Sequence, residues 1–280
     1  MVTYSDIRKL QLAVLDIYRW FSNVCMKNKL VYYLNGGCLL GAIRNGGFIP
    51  WDDDMDIVMP REDYEKFLKI ALSEDSPFII NHYLSKTYTT GSYLLKICNP
   101  KVKCGRKYED KIYIHDAFLS IFPLNGAPKS KFKRFLFKKK VERKYLKLRM
   151  VRIYHNGVQS NKHSAAEKIG IFLVKFFKIG RRMSVSQAAK KLDDCLKRYK
   201  YDESDYICEY SYGIAPFYWN KKLYQAPSNV VFEDVEIPSP TNPCEYLEII
   251  YGPNYMTPPP ENKRLPKHLD FIKIDKESSD

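Results

Sequence analysis

No run of 18 apolar residues occurs in the 280-residue chain, so no segment is expected to span a bilayer as a helix. The opening stretch, MVTYSDIRKLQLAVLDIYRW, is interrupted early by Asp6 and Arg8 and lacks the unbroken apolar core expected of a signal peptide. CxxC pairs are missing as well. Cys25, Cys38, Cys98, Cys104, Cys195, Cys208 and Cys244 are scattered and odd in number, and the Cys98/Cys104 spacing has no matching second half. That pattern speaks against a structural zinc site and for reduced, mostly buried thiols in a cytoplasmic protein. No internal repeat is found. Acid is scarce above all in residues 129–152, where twelve Lys or Arg stand against the single acid Glu142.

What is present is a full-sized core and a large positive charge. A hydrophobic content of 45% with 14% aromatics suits one large domain or two small ones and excludes wholesale disorder. A net charge of +14 attracts polyanions such as nucleotides, nucleic acid or an anionic membrane face. Along the chain, Ile7, Leu10, Val14, Ile17, Phe21 and Val24 recur at helical spacing over residues 5–28. Residues 30–34 (LVYYL) read as a strand, 38–44 as a short helix after Asn35-Gly36-Gly37, 55–59 as a second strand and 61–72 as a helix. Apolar runs between 78 and 124 suit the other strands of one sheet, which makes the fold class mixed α/β (α+β). The residues from 128 to 200 read as a basic helical insertion, with Ser184 as an N-cap near its end. The expected organisation is therefore a core over 1–127, the insertion over 128–200 and a C-terminal segment over 201–280 that completes the core.

The stretch with the clearest chemistry is GGCLLGAIRNGGFIPWDDDMDI, residues 36–57. Asp52, Asp53, Asp54 and Asp56 repel one another unless a cation relieves them. Mg²⁺, or Mn²⁺, takes carboxylate oxygens together with substrate phosphates. Strand alternation would put Asp52, Asp54 and Asp56 on one face, with Met55, Ile57 and Met59 in the core and Asp53 turned away. Gly36 and Gly37, between a strand and a helix, would place backbone N–H groups where a phosphate sits. An EF-hand is excluded, because its Gly and Glu spacing is missing.

The pattern Gly36-Gly37-x-Leu39-Leu40-Gly41-Ala42-x-Arg44-x-x-Gly47-Phe48-Ile49-Pro50-Trp51-Asp52-Asp53-Asp54-x-Asp56-Ile57, with Met59-Pro60-Arg61 behind it, resembles the signature of LicD-family phosphotransferases. Ile121-Phe122-Pro123-Leu124 resembles a second block of that family, and Phe232-Glu233, Ile237-Pro238, Tyr246-Leu247, Tyr251-Gly252, Arg264 and His268 a third. The resemblance implies a nucleotidyltransferase-like core related to that of fukutin-related proteins. It also implies transfer of a phospho-alcohol, typically phosphocholine, from a CDP-linked donor to a sugar hydroxyl of a cell-surface glycan. Metal roles carry over to Asp54 and Asp56, with Asp52 as an additional ligand. Ser120 and Asn125 stand where many members have acids, and Asp116, four residues before Ser120, is the expected substitute and catalytic carboxylate. Lys96, Arg44, Arg264 and His268 are the expected substrate-binding side chains beside Gly36 and Gly37, and His115 is a further candidate proton acceptor.

For the basic segment three readings stay open: a solvated face, nucleic-acid binding without a known motif, and peripheral membrane docking. Docking suits Ile171, Phe172, Phe176 and Phe177 beside Lys175, Lys178, Arg181 and Arg182. It also suits an acceptor built on a lipid carrier at the inner face of the membrane; no nucleic-acid partner is expected. Two other functions remain: nucleotidyl transfer to RNA or a small molecule, and a non-catalytic basic binding protein.

Overall fold

The computed structural model describes residues 3–73, 75–86, 93–108, 111–157, 164–210, 217–266 and 269–274. Its elements run α1 (Tyr4–Lys27), β1 (Tyr33–Leu34), α2 (Gly36–Asn45), β2 (Met55–Pro60), α3 (Arg61–Ser73), β3 (Ile79–Asn81), β4 (Leu95–Tyr108), β5 (Lys111–Ala127), α4 (Lys131–Asn156), α5 (Ala165–Phe176), α6 (Val185–Leu196), β6 (Tyr206–Glu209), β7 (Phe217–Asn220), β8 (Ser228–Phe232), β9 (Val235–Ser239), α7 (Pro243–Tyr251) and β10 (Phe271–Ile274). The chain is thus mixed α/β. One sheet has the order β1-β2-β5-β4-β10, with β3 on β4, β6 on β5 and β7 on β6. β2 and β5 are parallel, whereas the other pairs in this sheet are antiparallel. The β8–β9 hairpin stands apart.

α1 starts in a capping box, in which Thr3 and Asp6 satisfy each other's backbone N–H groups. Its apolar stripe is buried from Ile7 to Val24, and Phe21 meets Phe67 of α3 edge-on at 4.8 Å. The strand expected over 30–34 shrinks to two residues. The backbone donors before it are already used: Leu30 N–H bonds Cys25 O at 2.9 Å and Val31 N–H bonds Asp63 at 3.2 Å.

The helical segment is joined to the sheet by a buried ion pair. Arg61, at the start of α3, lies 2.9 Å from Asp193 of α6 and donates from Nε to Asn125 Oδ1 at 2.8 Å. Tyr83 Oη donates to Asp193 at 2.7 Å, and Lys197 closes on it at 2.9 Å. Asn125 therefore has a structural task at the end of β5: its own Nδ2 donates back to Pro123 O. Burial raises Asp193's proton affinity, but Arg61 and Lys197 outweigh it and hold the carboxyl below its ordinary value.

Candidate active site

β1 ends at Asn35, whose backbone N–H bonds Asp56 O at 3.1 Å. Asn35 is the N-cap of α2, yet its side chain makes no cap hydrogen bond. Its Nδ2 donates instead to Glu209 at 3.2 Å, and its Oδ1 accepts from Tyr246 Oη. Gly36 has φ of 53°, a left-handed value that favours glycine. A Cβ on Gly37 would stand 3.0 Å from an Asp52 oxygen, so glycine there lets the carboxylate approach the first turn of α2. The cluster thus lies beside the positive end of a ten-residue helix.

The loop between α2 and the carboxylates is held on three sides. Gly41 and Gly47 cross so closely that a Cβ on Gly41 would meet Gly47 O at 2.3 Å. Glu233 accepts the Phe48 N–H at 3.1 Å and takes both Arg8 guanidinium nitrogens, at 2.9 and 2.6 Å. Gln11 of α1 donates to Ile49 O and Asp52 O at 3.1 and 2.9 Å. Glycines of the recognisable sequence block thus permit one backbone crossing, Gly41 against Gly47, and close side-chain approaches at Gly37 and Gly47.

Asp52 and Asp53 are buried and Asp54 is half-buried; each offers an oxygen, and these three lie within 4.8 Å of one another. This grouping differs from strand alternation, which turns Asp53 away. The reason is local: β2 begins only at Met55, so residues 52–54 have no strand geometry. Asp56 does lie on the strand. It is in register with Ser120 of β5, which is in register with Lys96 of β4, so these three residues form one row across the sheet.

Asp56 Oδ1 is buried and finds no hydrogen-bond partner among the described residues. Burial drives its proton affinity well above the ordinary carboxylate range; Asp54, Asp52 and Glu209 add to the rise and Lys96 opposes it. A hard divalent cation fits this oxygen-rich, repulsive set. For the three clustered carboxylates, a pair of full charges 4.8 Å apart repels by about 3.5 kcal/mol at an effective dielectric constant of ~20.

Cationic groups surround the acids. The Lys96 ammonium sits 3.3 Å from the centre of the Phe118 ring; burial lowers its pKa while Asp54 and Asp56 pull it up. Arg44 is weakened by burial and by Arg264, and strengthened by Asp52. Arg44 thus feels both Arg264, far away in sequence, and Asp52, as groups on one rim of the site do. Arg264 lies over Trp51 at 5.4 Å and donates to Pro259 O at 2.8 Å.

Of the other expected residues, Asp116 is held by Lys103 at 2.5 Å and lies four positions along β5 from Ser120, about 13 Å on an extended strand. His115 turns its Nδ1 to the Asp116 carbonyl at 3.0 Å. His268 lies outside the described residues. The residue that sequence reasoning missed is Glu209. It is 5% exposed, bonded by Asn35, and close enough to raise the proton affinities of Asp56, Tyr246 and Tyr251. The one local signal is an acid inside an otherwise apolar strand, YICEY.

Residues 29–115 match the LicD/FKTN/FKRP nucleotidyltransferase domain family. The chain is 28% identical over 279 residues to the lipopolysaccharide cholinephosphotransferase LicD of Haemophilus influenzae, covering 94% of this chain and 96% of that one. An uncharacterised protein of Rickettsia typhi is 36% identical over 67 residues, 24% of this chain and 22% of its own. One from Rickettsia prowazekii is 37% identical over 70 residues, 22% of this chain and 26% of its own.

Proposed function

We propose that the chain is a LicD-type transferase, which moves a phospho-alcohol group, phosphocholine foremost, from a CDP-linked donor to a sugar hydroxyl of a glycan. The observation that carries this reading is the row Asp56–Ser120–Lys96 beside the Asp52–Asp53–Asp54 cluster, flanked by Arg44 and Arg264. Such a site accepts a diphosphate, which is itself repelled by bare carboxylates but drawn by a cation and by lysine and arginine. The name of the Haemophilus relative, matched along nearly its full length, supports the choice of group and acceptor class.

Mg²⁺ or Mn²⁺, held by Asp52, Asp53 and Asp54 with Asp56 adjoining, would supply charge neutralisation on the phosphates. Arg44 and Arg264 bind the diphosphate from the rim, and Lys96 carries charge opposite Asp56. The acceptor oxygen attacks the phosphorus of the phospho-alcohol, the bond to the bridging oxygen breaks, and CMP departs. The acceptor proton passes to a carboxylate. We place that role on Glu209 rather than Asp116, because the Lys103 ammonium already occupies Asp116 and the strand carries it away from Ser120.

The test is to incubate the protein with CDP-choline, CDP-ethanolamine, CDP-glycerol and CDP-ribitol, with a glycan acceptor and Mg²⁺. CMP release with labelled glycan is expected. Consumption of CTP or ATP with pyrophosphate release would replace this reading by nucleotidyl transfer. Unchanged function in Asp54→Ala would replace it by a binding role.

A further inference from the structure

α5 is a helix with almost nothing beneath it. Of its twelve residues only Val174 is buried. A shallow apolar groove of about 340 Å³ runs between it and α4, lined by Leu146, Met150, Ile171 and Leu173 among others. Its outward side carries Ile169, Phe172, Phe176 and, at the C-cap, Phe177, each 59–65% exposed. The phenylalanines form one patch: Phe172 stacks on Phe176 at 5.6 Å, and Phe176 meets Phe177 edge-on at 5.1 Å. Three neighbouring phenylalanines left in water mark an interaction surface rather than scattered surface residues.

The border of the patch identifies its partner. Lys168, Lys175, Lys178, Arg181 and Arg182 are all exposed around it. The acid of the helix, Glu167, is held by Arg149 at 3.1 Å. We propose that α5 and the turn behind it dock on an anionic lipid bilayer, with the phenylalanines in the acyl boundary and the cations at the headgroups. A second copy of the chain would bring two positive rims together, and like charges at that range repel. Single-stranded nucleic acid offers negative charge and stacking, but leaves the aliphatic Ile169 and Leu173 uncovered. Among the described residues no helix is long and apolar enough to cross a membrane, so α5 would lie on the bilayer.

The test floats the purified full chain with phosphatidylcholine vesicles, with and without phosphatidylglycerol. Binding is expected only to the anionic vesicles, and it should collapse as the Debye length falls from about 10 Å at 0.1 M salt to about 3 Å at 1 M. Phe172→Ser with Phe176→Ser should weaken binding roughly tenfold or more with all charges kept. Lys175→Gln with Lys178→Gln should weaken it about fivefold per charge. Neither pair removes a buried side chain, so unchanged circular dichroism and melting are expected. Phe176→Trp should give a blue-shifted difference emission that brominated acyl chains quench. The proposal falls if anionic vesicles do not bind at low salt, or if the serine pair binds as well as wild type. It falls too if the new tryptophan is not quenched. Self-association abolished by the serine pair, without vesicle binding, would assign the face to a second copy; single-stranded DNA bound more tightly than vesicles would assign it to nucleic acid. No arm uses catalysis, so failure here leaves the transferase reading untouched.

Discussion

Replacing Asp54 by Asn should make the metal-free protein more stable while it abolishes the response to metal. Oxygens of Asp52, Asp53 and Asp54 lie within 4.8 Å of one another, so each fully charged pair costs about 3.5 kcal/mol at an effective dielectric constant of ~20. Asp54→Asn removes two of those pairs. The nearby positive charges of Arg44 and Lys96, and relaxation of the three side chains, already relieve most of that repulsion, which leaves an expected gain of about 1–2 kcal/mol. For a chain of 280 residues this corresponds to roughly 2–4 °C in melting temperature. With Mg²⁺ a hundredfold above its dissociation constant, the wild type should gain about 2.7 kcal/mol, hence roughly 5–6 °C, and overtake the variant. Differential scanning fluorimetry across a Mg²⁺ and Mn²⁺ series reads both effects. The reasoning is refuted if the variant melts lower than wild type without metal, or if neither cation raises the wild-type melting temperature.

Glu209→Gln should lower kcat by roughly 10²–10³ with the Mg²⁺-induced melting shift retained, whereas Asp116→Asn should stay within severalfold of wild type; steady-state kinetics of CMP release decide this. Arg61→Met takes one of two cations from buried Asp193, leaving Lys197 and Tyr83 on it, and unpairs Asn125 Oδ1; it should cost about 2–3 kcal/mol by urea unfolding, with part of the loss recovered in the double variant with Asp193→Leu. Burial pushes His82 from 6.5 to about 4, so its neutral form is favoured in the folded chain. Because the unfolded chain takes up that proton first, stability should be complete above pH 6.5 and fall by up to about 3 kcal/mol on acidification to pH 4, a slope that His82→Gln removes. Asp193, whose folded value is lowered, loses its contribution only below that window. Gly41→Ala drives a Cβ against the Gly47 carbonyl and the Ile49 backbone, neither of which is a flexible side chain. It should cost about 1–3 kcal/mol and displace the loop carrying Asp52, read as lost activity at temperatures where the variant stays folded.

Local patterns were enough for the elements. α1, α2, α3 and the strand after the carboxylates follow from apolar periodicity and from glycine and proline, because those signals act within a few residues. Ser184 caps α6 as its sequence suggests. Local signals misjudge residues 30–34, where Cys25 O and Asp63 take the backbone bonds a longer strand would have used. They also misjudge Asp53, because residues 52–54 lie ahead of the strand and do not alternate faces.

By itself the sequence determined that four carboxylates follow a glycine pair, that the middle of the chain is basic, and that the class is mixed α/β. Charge, composition and short-range periodicity are properties of neighbours along the chain. Only the tertiary structure decided which distant groups meet them. Parallel pairing of β2 with β5, and antiparallel pairing of β5 with β4, sets Asp56, Ser120 and Lys96 in one row. The fold also brings Arg264 to Arg44 and Glu209 to Asn35. It turns Asp116 onto Lys103, because strand register and the ion pairs it permits depend on long-range pairing that no short window of sequence contains.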